Sequence, residues 1–166
     1  MWKRLLAPLA VSVCAAAAPA AAADTFDLHW FWDQRCAECH GHSARFARTA
    51  LAVENGVLVG RHHRDDLTLF LRNHGVPAER VQPVYDMLLA QAQSDPRFQE
   101  RCGGCHDSAA ALARDALVVR GGVLQGRESG RPVAEFMKRH GRLGPDEVPF
   151  FVKLLARVEH EVHSPY

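Results

Sequence analysis

The chain has 166 residues, with 20 Lys+Arg against 19 Asp+Glu, ten His and five Cys. A hydrophobic fraction of 48% excludes a disordered chain, and a formal charge of +1 without a basic run gives no reason to expect nucleic acid as a partner. The length holds one domain or two small ones.

Residues 1–23 predict a secretory signal peptide. Lys3 and Arg4 form a positive start, Leu5 to Ala18 an apolar stretch, and Ala21-Ala22-Ala23 a small-residue cleavage site before Asp24. The apolar stretch is short of the ~20 residues that cross a bilayer, and Pro8 and Pro19 interrupt it. Cys14 goes with the discarded segment, and no later stretch predicts a transmembrane anchor. The expected product is exported to the periplasm and begins at Asp24.

Four cysteines remain after cleavage, in Cys36-Ala37-Glu38-Cys39-His40 and Cys102-Gly103-Gly104-Cys105-His106. Cysteine pairs in an exported protein first suggest disulfides, and a two-residue gap suggests a redox dithiol or half a zinc site. The histidine after each pair changes the reading, because C-x-x-C-H is the attachment signature for c-type haem. One helical turn carries both thiols to the two vinyl groups, and the adjacent histidine points at the iron. On these motifs the chain resembles an exported dihaem c-type cytochrome. The resemblance implies two covalently attached haem c groups, with Cys36, Cys39, Cys102 and Cys105 as attachment residues and His40 and His106 as proximal iron ligands.

The sequence also repeats. Shifted by 66 residues, Trp32–Ala90 falls on Phe98–Ala156 without a gap, and 22 of the 59 pairs are identical. The expected domains are therefore a first haem unit, 24–93, and a second, 94–166, joined near Gln91–Pro96. Units so small build a poor apolar core alone, and a covalent haem supplies one. In chain order, each unit reads as a short helix into the motif (Asp24–Gln34, Pro96–Arg101) and then a second (Ala44–Leu51, Ala109–Leu117). A glycine-bearing turn or short extended segment with Gly60-Arg61 or Gly126-Arg127 follows. A third helix covers Asp65–His74 or Pro132–His140, and a fourth Pro83–Ala92 or Pro149–Val162, with its proline in the first turn. No strand pattern stands out, so the expected fold is all-α, two tandem cytochrome c-like helical units each wrapped around its haem.

The second axial ligand decides the chemistry. Met87 aligns with Lys153 and Met137 with Leu71, so neither methionine is repeated, whereas His74 and His140 correspond. Leu67, Phe70, Leu71 and His74 share one helix face, as do Val133, Phe136, Met137 and His140. Gly75 and Gly141 follow as helix stops. His74 and His140 are thus the expected distal ligands, a departure from tandem dihaem cytochromes that use methionine at both irons. His29, His42, His160 and His163 are not repeated and read as structural or solvated. His62-His63 is the rival ligand of the first unit. Arg61 and Arg127 are repeated and can fork onto a haem propionate. Trp32 and Phe98 are expected to pack on a haem edge.

With both irons closed by two histidines, no substrate reaches the metal. The expected function is electron transfer rather than enzymatic catalysis, as a periplasmic dihaem carrier or the cytochrome subunit of a larger dehydrogenase complex. Its partners would be redox proteins, among them a membrane-bound or periplasmic oxidoreductase. The competing reading leaves one iron open for peroxide or gas, as a peroxidase or sensor.

Overall fold

The structure is a computed structural model that describes residues 25–62 and 66–165. The signal-peptide segment, Cys14, His63 and Asp65 lie outside the described residues. Strand β1 (Thr25–Phe26) leads into helices α1 (Leu28–Arg35), α2 (Ala37–His40) and α3 (Ser43–Ala50). Strands β2 (Leu51–Glu54) and β3 (Val57–Gly60) come next, followed by helices α4 (Leu67–Asn73) and α5 (Ala78–Ala92). The second half opens with α6 (Arg97–Cys102) and α7 (Ala109–Ala116), continues with β4 (Leu117–Arg120) and β5 (Val123–Gly126), and closes with α8 (Val133–Met137), α9 (Glu147–His163) and β6 (Ser164–Pro165).

The architecture is mixed rather than all-α, because each half contains an antiparallel hairpin, β2–β3 and β4–β5. The cause is turn chemistry. A two-residue type I′ turn needs positive φ at both central residues, which Asn-Gly and Gly-Gly supply. Asn55 and Gly56 lie at φ 51° and 80°, and Gly121 and Gly122 at 56° and 76°. The flanking Leu51-Ala52-Val53 and Val57-Leu58-Val59 are good strand formers, and Leu58 and Leu124 turn inward while Val57 and Val123 stay exposed.

A shift of 66 residues carries α3, β2 and β3 onto α7, β4 and β5 residue for residue. The last helix breaks this register. Its buried positions Val84, Leu88 and Gln91 correspond to Phe151, Leu155 and Val158, a separation of 67. The connection after His140 is longer than the one after His74, and the added length turns α9 by one residue relative to α5. Pro149 lies in the first turn of α9 as expected, but Pro83 does not sit in the first turn of its helix. Pro83 lies in the second turn of α5, which begins at Ala78 and buries Val81 ahead of it. An interior proline forfeits one ladder hydrogen bond, and that loss is tolerated here.

Two apolar cores form, one within each half. Leu28, Trp32, Ala47, Leu58, Val84, Met87 and Leu88 belong to the first, and Phe98, Ala113, Leu124, Phe151, Leu155 and Val158 to the second. Polar contacts join the halves. Strand β1 pairs with β6, Asp27 receives Arg114 at 2.6 Å, and buried His29 meets buried Glu161 at 2.8 Å. Among the described residues no helix is long and apolar enough to cross a membrane.

Leu88 and Leu155 are each 1% exposed in separate cores. Leu88→Ala and Leu155→Ala should each cost about 2–5 kcal/mol, read as a lowered midpoint in urea unfolding of the full chain. A loss under 1 kcal/mol in either would mean that its core is not formed as described.

Candidate metal centre

Both cysteine motifs fold as the same helical turn. In the first, the Cys36 carbonyl accepts from the N–H groups of Cys39 (3.2 Å) and His40 (2.9 Å). In the second, the Cys102 carbonyl accepts from Cys105 (3.0 Å) and His106 (2.9 Å). All four thiols are free. Cys39 and Cys105 are exposed, while Cys36 and Cys102 are half-buried. Burial pushes the Cys36 thiol above its ordinary pKa, opposed by Arg35. Burial raises Cys102 likewise, opposed by Arg101 and reinforced by Glu147.

His74 follows helix α4 and His140 follows helix α8. Helix α4 starts on Asp66, whose carboxylate accepts from the N–H of Thr68 (2.8 Å) and of Leu69 (3.2 Å). It ends in a Schellman motif, with Val76 N–H bonded to the Leu71 carbonyl (3.1 Å), Gly75 N–H to that of Arg72 (3.3 Å), and Gly75 at φ 84°. Leu71 and Val76 are buried together. This pins His74 at the C-cap. The second copy is looser. Arg142 replaces the buried valine, and α8 stops at Met137, short of the expected His140. Turns of the i to i+3 kind, Arg139 to Phe136 and His140 to Met137, carry the chain onward to His140.

The result is two matched imidazole pairs. His40 and His74 have ring centres 5.9 Å apart, and His106 and His140 6.1 Å apart. Two imidazoles on opposite sides of one metal ion, each bonded at about 2.0–2.1 Å, have ring centres roughly 6.3 Å apart. Both pairs match that spacing within a few tenths of an ångström. No hydrogen bond within the described residues engages any of the four rings, so their nitrogens remain open to a metal. Among the described residues no group of three or more His, Cys, Asp or Glu is placed to hold a bare ion. A macrocycle that brings four donors of its own needs only a pair. The donor set therefore fits a haem, and each pair lies within one unit rather than crossing between units.

Aromatic rings fix the imidazoles. Phe70 stacks on His74 at 4.9 Å and Phe136 on His140 at 4.6 Å. Around the proximal histidines the copies differ. Phe46 meets His40 edge-on at 4.7 Å and Trp32 lies 6.2 Å away, where the second unit has Leu112 and Phe98. Trp32 donates its indole N–H to the Gly41 carbonyl at 2.8 Å. Met87 and Met137 are buried, one in each core.

The remaining sequence candidates fall elsewhere. Arg61 reaches the Arg48 carbonyl at 3.3 Å, and Arg127 reaches those of Arg114 (3.2 Å) and Leu117 (2.6 Å) and the His163 ring (3.0 Å). Both guanidinium groups thus reach carbonyls at the C-termini of α3 and α7. Sequence spacing could have shown this, since each arginine follows a hairpin that returns the chain to the end of the preceding helix. His42 caps α3 through its ring nitrogen, His29 bonds Glu161, and His62 is exposed.

Comparison with protein families, with curated proteins and with solved structures finds no match for this chain.

The raised thiols give a pH signature in protein produced without haem. Alkylation by iodoacetamide needs the thiolate. A raised pKa leaves less thiolate at any given pH, so modification of Cys36 and Cys102 should set in at higher pH than that of a free cysteine. Peptide mass mapping over pH 7 to 10 reads this directly. Reaction of Cys36 and Cys102 at the pH of free cysteine, or below it, would contradict the described burial.

Proposed function

We propose that this protein is an exported dihaem c-type cytochrome that carries electrons between redox proteins in the periplasm. The observation that carries the reading is the duplicated imidazole pair, His40 with His74 and His106 with His140, each beside a C-x-x-C turn and each spaced for one intervening metal ion. Cys36, Cys39, Cys102 and Cys105 would hold two haems through thioether bonds. His40 and His74 would hold one iron, and His106 and His140 the other.

When bound, each haem supplies an iron that gains and loses one electron. The protein's part is to hold that iron with little rearrangement. The Schellman stop after α4 and the stacked Phe70 keep His74 in one orientation, and the motif turn keeps His40 opposite it. With a histidine on both faces, no position is left for peroxide or gas. Two nitrogen ligands, without the thioether that raises potential, favour low reduction potentials.

Low-temperature EPR of the oxidised protein, with haem content measured on the same sample, tests this. The expected result is two haems per chain, both low-spin. His74→Ala and His140→Ala should each turn one of the two signals high-spin and leave the other intact. High-spin iron in the unaltered protein would mean one open metal and a different function. Fewer than two haems per chain would overturn the dihaem assignment.

A further inference from the structure

Building on the haem-carrying reading, we propose that the second unit carries the docking face for an acidic redox protein, beside His140. A surface cavity of about 440 Å³ opens there, lined by Arg131, Glu135, Phe136, Lys138, Arg139 and His140. Phe136 is 57% exposed and lies flat against the His140 ring. An apolar contact centre thus touches the ligand of the second iron and is rimmed by three cations. Lys138 is paired with Glu135 at 2.7 Å. Among the described residues Arg131 and Arg139 have no ion-pair partner, which leaves two uncompensated guanidinium groups on the rim.

The repeat supplies an internal control. Phe70 is also exposed, at 45%, and stacks on His74 in the same way. The apolar centre is therefore common to both units and follows from holding the ligand. The charge is not common. At the positions equivalent to Arg131, Pro132, Glu135, Lys138 and Arg139, the first unit has Asp65, Asp66, Leu69, Arg72 and Asn73. Two carboxylates and one cation stand where the second unit has three cations and one carboxylate.

Unpaired rim charges act over about 10 Å at 0.1 M salt. They steer an oppositely charged partner and repel a like one, mainly through the association rate. An acidic protein is therefore drawn to the second unit, close to the edge of its metal centre, and not to the equivalent face of the first. In the transfer itself one electron passes between the second iron and the partner's redox centre. One is oxidised as the other is reduced, and no bond or proton moves.

The test uses the haem-loaded protein, with ferricyanide as anionic oxidant and poly-L-glutamate as an acidic polymer. Replacing both arginines, Arg131→Gln with Arg139→Gln, should slow ferricyanide oxidation at 10 mM salt about five- to tenfold. It should weaken poly-L-glutamate binding similarly, and both differences should vanish at 500 mM salt. The reversed pair, Arg131→Glu with Arg139→Glu, should slow ferricyanide further and accelerate the cationic oxidant hexaammineruthenium(III), a gain that a merely damaged protein would not show. Arg45→Gln with Arg72→Gln, an equal change of charge in the first unit, should leave poly-L-glutamate binding unchanged. Equal weakening by this control pair, or unchanged binding in the Arg131 and Arg139 variants, would overturn the docking face. Absence of haem from the purified protein would instead overturn the haem-carrying reading, and polymer binding would still decide the face.

Discussion

The separation between two imidazoles, close to 6 Å in both halves of the chain, is the constraint that the rest of the structure serves. Such a gap must be held from two directions at once. On one side a single helical turn, closed by hydrogen bonds to the Cys36 or Cys102 carbonyl, fixes the proximal histidine relative to the two thiols. On the other a helix must end at a fixed depth over that turn. In the first unit the end is set by backbone hydrogen bonds and by burial of Leu71 with Val76. In the second, Arg142 takes the place of the valine, and the spacing is kept by tighter turns and by Phe136 against the ring. Two local solutions reach the same separation within 0.2 Å, so the separation, and not the helix end itself, is what both copies preserve.

Much of this was legible in the sequence, because a motif turn and a helix end are set by residues close together in the chain. The cysteine motifs, the repeated His74 and His140, and the helix faces leading to them all depend on residues close together in the chain. What escaped the reading depended on turns and on tertiary register. The hairpins were encoded in Asn55-Gly56 and Gly121-Gly122, but the strands are only four residues long, too short for alternation to stand out against helical neighbours. The slip from 66 to 67 in the last helix was hidden by identities at Pro83 and at Leu88-Leu89-Ala90, which favour an ungapped alignment. Burial, not identity, decides which side chains face the core. Arg61 and Arg127 show the same limit: their repetition marked a shared role, yet only the fold revealed it to be the capping of α3 and α7.

Duplication normally leaves two copies free to diverge wherever the shared task does not bind them. Here the cysteine and histidine motifs are kept while side chains around them differ. Phe46 and Trp32 surround His40 with aromatic rings where the second unit has Leu112 and Phe98. Arg131 and Arg139 near His140 align with Asp65 and Asn73 in the sequence of the first unit. If the histidines hold haems as proposed, surroundings of this kind would tune the two centres without changing their ligands.

The proposed electron transfer needs a constant separation between the two units, and the contacts between the halves are suited to this. They are polar and few, but they engage both ends of the chain. Asp27 caps α1 through the Trp30 N–H and also holds Arg114 on α7. Glu161 on α9 accepts from Arg157 on its own helix and faces His29 on α1. The pairing of β1 with β6 closes the ring. An exposed ion pair would add little, but His29 and Glu161 are both buried, and losing either partner would strand a polar group away from water. The halves therefore separate only by exposing that pair together with the β1–β6 pairing, a cooperative cost that holds two small units in one arrangement without a large apolar interface between them.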